Sequence, residues 1–99
     1  MEKFIEIGGR KLKIKYTINS LCAVEDRAGM PIDRLMNRQF SATRLLLWGG
    51  VTECQPELTV RDVGDLIDAW VARGGQLEDI VDLCADGLRE AGFFGRQEA

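Results

Sequence analysis

The stretch Leu-Leu-Leu-Trp-Gly-Gly-Val at residues 45–51 decides the fold of this 99-residue chain. Wound into a helix, its apolar side chains cover more than half of the circumference, which is typical of a helix at the centre of a core or at an interface. We expect the helix to span residues 42–53, with Ser41 as its N-cap. Gly49 and Gly50 each cost roughly 1 kcal/mol relative to Ala inside a helix. The pair therefore predicts either a kink or the close approach of a neighbouring backbone.

Residues 3–16, which precede this helix, have the pattern of a β-hairpin. Gly8 and Gly9 can adopt the positive φ angles of a two-residue turn. After the turn, apolar and basic side chains alternate as they do on the two faces of a strand. The apolar face holds Leu12, Ile14 and Tyr16, and the basic face holds Lys11, Lys13 and Lys15. Because a two-stranded ribbon is marginal alone, we expect its apolar face to pack on the helices.

Apolar periodicity and helix-ending residues predict four further helices. They cover residues 17–28, 31–36, 59–73 and 76–90. Thr17 or Asn19 can cap the first of them, and Gly29 can end it. Thr59 and Asp62 have the spacing of a capping box at the start of the third.

These elements together predict an α+β, mostly helical fold, with an N-terminal β-hairpin followed by four to five short helices. The chain length suits one domain and not two. We expect that domain to cover residues 1–95, with the hairpin at 3–16, the helical part at 17–92 and a frayed tail at 96–99.

The composition excludes several kinds of chemistry. The chain has no His, which rules out Ser-His-Asp triads, Cys-His pairs and zinc sites that contain His. Cys22, Cys54 and Cys84 lack the CxxC spacing, and we expect each to be a reduced thiol buried as a small hydrophobe. No window holds the roughly 18 apolar residues of a membrane span, and residues 1–4 carry no apolar signal region. The sequence thus favours a cytoplasmic, non-enzymatic protein without membrane contact, metal or cofactor.

Charge is distributed unevenly along the chain, whose formal net charge is -3. Residues 1–50 carry 9 basic and 5 acidic groups, whereas residues 51–99 carry 4 basic and 11 acidic groups. The acidic excess argues against nucleic acid as a partner. Carboxylates recur at every fourth residue of the last helix, at Glu78, Asp82, Asp86 and Glu90. This row is either a solvated face or a docking surface that meets the basic hairpin face of the next subunit, head to tail.

The order of these features resembles the tail assembly chaperones of long-tailed phages, above all the type encoded in prophage and gene-transfer-agent tail clusters. Residues 16–25 are similar to the family's opening, which reads aromatic, small polar, Leu, x, x, hydrophobic, Glu. Three more segments continue the resemblance: Gly29 with residues 31–35, residues 45–51, and residues 56–67. The likeness covers residues 3–94 and departs from the family at Arg61-Asp62, where Glu-Glu is commoner.

The resemblance implies a non-enzymatic protein of the bacterial host cytoplasm. Such chaperones bind the tape measure protein, a long helical chain prone to aggregation, until tail tube protein polymerises around it, and they are absent from the finished virion. The implied partners are therefore the tape measure protein, with the tail tube protein as a second partner, and further copies of the chain itself.

An apolar face would have to meet the tape measure protein. The sequence offers Leu46, Leu47, Trp48, Val51, Phe93 and Phe94 for this role, although each can equally belong to the core. Two alternatives to a chaperone stay open. One is a small structural or head-tail connector protein retained in the virion, and the other is a cellular helical adaptor unrelated to phages.

Overall fold

A two-stranded antiparallel hairpin and five helices make up residues 3–93, the part of the chain that this computed structural model describes. In chain order the elements are β1 (Lys3–Ile7), β2 (Arg10–Ile14), α1 (Ile18–Ala28), α2 (Ile32–Leu35), α3 (Gln39–Thr52), α4 (Val60–Ala72) and α5 (Leu77–Ala91). The predicted α+β, mostly helical fold is confirmed. The predicted tail at residues 96–99 lies outside the described residues.

The hairpin forms as the Gly-Gly dipeptide and the alternation predict. Ile7 pairs with Arg10 across the turn, and Gly8 and Gly9 have φ angles of 59° and 75°. Such angles match a turn whose twist suits the flanking strands, and only glycine adopts them without strain. The apolar face is buried through Ile5, Ile7, Leu12, Ile14 and Tyr16, so the hairpin is one wall of the core.

The outer edge of β2 is covered by a side chain from the loop after α3. Gln55 accepts a hydrogen bond from the Lys13 backbone N–H at 3.0 Å and donates one to the Lys13 carbonyl at 3.1 Å. Two positions further on, the Lys15 N–H donates to the Gly50 carbonyl at 2.7 Å. These bonds attach the hairpin to α3 and remove part of an exposed strand edge, which is otherwise a site of unwanted pairing.

Helix α3 is the centre of the fold, in contact with α1, α4, α5 and β2. A Cβ at position 49 would lie 2.4 Å from Val24 Cγ2, and one at position 50 would lie 3.0 Å from the Tyr16 ring. The helix runs unbroken through both glycines. Of the two predicted reasons for the Gly pair, the structure therefore favours close approach, but the nearest atoms belong to the Val24 and Tyr16 side chains, whereas the prediction named a neighbouring backbone.

The predicted caps are confirmed at two helices and wrong at a third. Thr17 and Thr59 each form a capping box, with Ser20 and Asp62 respectively. Helix α3, however, begins at Gln39 with Arg38 at the N-cap, so Ser41 is not its cap. The Ala42 N–H already donates to the Arg38 carbonyl at 2.7 Å, which places Ser41 inside the first turn.

The cysteines are buried at only one of the three predicted positions. Cys84 is buried, whereas Cys22 and Cys54 are exposed. In α1 the side chains of Ser20, Leu21 and Val24 face the core. Because successive helical residues are rotated by about 100°, Cys22 then points away from the core.

Candidate interaction surfaces

Three of the residues proposed as a partner-binding face belong to the core. Leu46, Leu47 and Val51 are exposed by only 3%, 0% and 0% of their surface. A helix that is apolar around most of its circumference has to be covered on several sides, and the neighbours of α3 provide that cover. The expectation of an exposed apolar face at these residues is therefore corrected: in this conformation they offer no surface to a partner.

The other proposed apolar residues lie elsewhere. Trp48 is half-buried, and its indole N–H donates to the Leu58 carbonyl at 3.3 Å while the Arg27 guanidinium lies 5.8 Å from the ring centroid. Phe93 is described and exposed, and Phe94 lies outside the described residues. Of the predicted face, Phe93 thus keeps a clearly accessible apolar side chain.

The predicted electrostatic surfaces are partly engaged within the chain. Glu90 forms an ion pair of 2.9 Å with Lys3, and Asp86 forms one of the same length with Arg89. On the outer face of the hairpin, the Lys11 ammonium lies 4.7 Å from the centroid of the Phe4 ring. Glu78, Asp82 and Lys15 are exposed, and Lys13 is half-buried. Head-to-tail contact between these two surfaces stays a prediction.

The most exposed large apolar side chain among residues 3–93 was missed by sequence reasoning. It is Phe40, which keeps 73% of its surface exposed in the first turn of α3. One signal was present: Arg44 follows one turn later on the same stripe, so the helical period places Phe40 on a polar face. Because the predicted helix started at residue 42, with Ser41 as its N-cap, Phe40 was placed in a loop. The shared stripe of Phe40 and Arg44 was therefore not recognised.

Phe40 lines a groove of about 480 Å³ between α3 and α4, closed at one end by Leu77 of α5. The two long helices are antiparallel here. The Trp48 indole bonds to the carbonyl of Leu58, and a Cβ on Gly64 would lie 3.2 Å from Arg44 Cδ. Continuing this register by one turn places Phe40 opposite Asp68.

The charged groups of this groove are sorted by sign along its length. Arg61 lies toward the end of the groove near the start of α4 and Asp68 toward the Phe40 end, whereas Arg44, beside Gly64, and Asp65 lie near the middle. All four side chains are exposed. Within residues 3–93 none of them forms an ion pair. The groove therefore has a basic end and an acidic end, both available to a second molecule.

Among residues 3–93, Tyr16 and Cys84 are two titratable groups that lie together in the interior. Burial raises the pKa of the Cys84 thiol from 9.0 to about 11, and burial also raises the pKa of the Tyr16 phenol well above 10.0. The phenol donates to the Leu46 carbonyl at 2.5 Å. A thiol with a raised pKa stays protonated near neutral pH and is a poor nucleophile. Residues 3–93 also contain no group of three or more His, Cys, Asp or Glu residues placed to hold a metal ion.

Comparisons with known proteins add no relative to this picture. No family model, no curated protein and no solved structure matches the chain. Among the described helices, none combines the length and apolar character that crossing a membrane requires.

Proposed function

We propose that this protein is a non-enzymatic tail assembly chaperone that binds the tape measure protein during assembly of a long phage-type tail. The family resemblance over residues 3–94 supports the class of function. The observation that carries a binding role is Phe40, an aromatic ring left exposed beside a groove.

Phe40 suits the capture of an apolar partner because the fold does not use it. The core is filled by other side chains of α3, among them Leu46 and Leu47, and it is complete without the Phe40 ring. Full burial of a Phe side chain contributes about 1.5–3 kcal/mol, and most of that burial is still available here. A partner that covers the ring and the groove therefore gains stabilisation at little cost to the chaperone fold.

Solubility of a protein with exposed apolar groups needs charge elsewhere on its surface. The acidic C-terminal half supplies that charge through exposed carboxylates on α5, among them Glu78 and Asp82. Exposed apolar surface and excess charge together suit a protein that keeps an aggregation-prone chain in solution.

Co-expression with the tape measure protein of the same gene cluster tests the proposal. The soluble fraction of the tape measure protein is expected to rise with the wild-type chaperone and to fall again with Phe40→Ser. Phe4→Ser is the matched control, because Phe4 is an exposed aromatic on a different element, the hairpin. No gain in solubility with the wild-type protein would contradict the chaperone role.

Mass spectrometry of purified particles separates the chaperone from a structural or connector protein. A chaperone is expected to be missing from finished particles, whereas a structural protein is retained in stoichiometric amount. A cellular adaptor is indicated instead if no tape measure gene lies beside the gene for this chain.

A further inference from the structure

We infer that the α3–α4 groove is a self-complementary interface on which a second copy of this chain docks, antiparallel, about a two-fold axis. This inference does not rest on the proposed chaperone function: a dimer formed here covers Phe40 and therefore competes with the tape measure protein for the ring. It rests on the order of the charges along the groove and on the exposed Phe40 beside them.

The charges on α4 lie on one stripe. Arg61, Asp65 and Asp68 are separated by four and three residues, which places them on one face of the helix over about 10 Å of its length. Arg44 reaches this stripe from α3, because its Cδ lies beside Gly64, where no side chain blocks it. The order along the groove is therefore Arg61, Arg44, Asp65, Asp68.

A two-fold axis that lies in the interface, across the middle of the groove, reverses this order in the second copy. Arg61 then faces Asp68 of the second copy, and Arg44 faces its Asp65. The same two contacts occur again with the copies exchanged, as an isologous interface requires. Four attractions thus form from four side chains of each copy, none of which has an ion-pair partner within residues 3–93.

The apolar part of the interface comes from Phe40 at one end of the groove and from Leu77 in its lining. The two-fold axis sets this Phe40 end over the Arg61 end of the second copy, where the aliphatic part and guanidinium of Arg61 can cover the ring. Val71, one turn beyond Asp68 on α4, is a further exposed apolar side chain on this side of the helix. Burial of Phe40 contributes affinity that does not depend on salt, whereas the exposed charge pairs set the register and weaken as salt screens them. Exposed ion pairs each contribute no more than about 1 kcal/mol. We therefore expect a weak, concentration-dependent dimer.

A charge-swap experiment tests the register of the dimer directly. Sedimentation velocity of the full chain at low salt is expected to show dimer formation that increases with concentration. Arg61→Asp and Asp68→Arg each turn two attractions across the interface into repulsions. The dissociation constant of the dimer that each variant forms alone should therefore be about tenfold higher than that of the wild type. An equal mixture should restore the dimer. The carboxylate introduced at position 61 of one variant then faces the guanidinium introduced at position 68 of the other, while the native pair forms at the second site.

Controls make each outcome decisive. Circular dichroism of both variants should match the wild type, since the substituted side chains are exposed. Phe40→Ala should weaken the dimer at all salt concentrations, and Phe4→Ala on the hairpin should leave it unchanged. A wild-type protein that stays monomeric throughout would overturn the inference. So would a dimer that both charge variants leave intact, or a mixture that fails to restore it.

Discussion

The two ends of helix α3 differ in what lies beside a glycine. Near its C-terminus, Gly49 and Gly50 touch Val24 and the Tyr16 ring, so the absent side chains let α1 and the hairpin approach. Near its N-terminus, α3 faces Gly64 of α4 with the long side chain of Arg44, and the space beside them is an open groove. One end is packed without room for a methyl group, and the other leaves an aromatic ring and four charges in water. The tight packing that stabilises the fold is thus at the first end, and the uncovered surface is at the second.

The largest expected difference in the free energy of unfolding comes from truncating one side chain at each end of α3. Leu47→Ala removes a fully buried side chain and should lower the free energy of unfolding by about 2–5 kcal/mol. Phe40→Ala removes a larger but exposed side chain and should change it by no more than about 0.5 kcal/mol. Urea unfolding at protein concentrations too low for self-association measures both values. Equal losses at the two positions would mean that Phe40 also stabilises the fold.

Adding a methyl group at each end tests the same comparison, because the free energy of unfolding should fall at Gly49 and rise at Gly64. Gly49→Ala places a Cβ against Val24, which is itself fully buried, and should lower the free energy of unfolding by about 1–3 kcal/mol. Gly64→Ala meets only the Arg44 side chain, which is exposed and can move. The better helix propensity of Ala should then raise the free energy of unfolding by up to about 1 kcal/mol. Thermal unfolding of the two variants beside the wild type gives the answer, and destabilisation by both would show that the groove is packed as tightly as the core.

The contribution of Cys84 to the pH dependence of stability is absent near neutral pH and develops only in alkali. Because the pKa of Cys84 is raised from 9.0 to about 11 by burial, the unfolded chain loses the thiol proton before the folded chain does. Stability from this group is therefore complete below pH 9 and is lost as the pH rises toward 11. The buried Tyr16 phenol, whose pKa is also raised, adds to the same trend at still higher pH.

Unfolding free energies measured across this pH range check the assignment. Cys84→Ala should lower stability near neutral pH, where it removes a buried side chain, and should reduce the alkaline slope to the part due to Tyr16. Cys22→Ala, at an exposed thiol, is the matched control and should keep the slope of the wild type. An unchanged slope in Cys84→Ala would assign the alkaline loss to other groups.

Local signals in the sequence predicted the packed end of α3 well. The Gly8-Gly9 turn, the alternation after it, the N-cap at Thr17 (one of two candidates) and the capping box at Thr59 each depend on neighbouring residues, and all of them are confirmed. The Gly49-Gly50 pair predicted close approach as one of its two explanations, and the structure supports it. Such features are decided within a few residues, and a single sequence therefore contains them.

The groove could not be predicted in the same way, because it depends on two helices distant in sequence. The register between α3 and α4 is set by tertiary contacts such as the bond from Trp48 to Leu58, and no local pattern contains it. The start of α3, expected at residue 42 and found at Gln39, was misplaced by enough to lose Phe40. Apolar character also failed to identify the candidate site, because the apolar side chains of Leu46 and Leu47 are buried in the core.

The two hydrogen bonds between the Gln55 side chain and the Lys13 backbone affect how solvent reaches the hairpin. Across a two-residue turn, the N–H groups of alternate strand residues point away from the partner strand, and Lys13 is one of them. Its amide hydrogen is shielded by a side chain and not by a strand, so it can exchange with water when the loop after α3 lifts, even while the hairpin stays paired. Hydrogen exchange at this one amide therefore reports on the attachment of that loop, separately from the opening of the core.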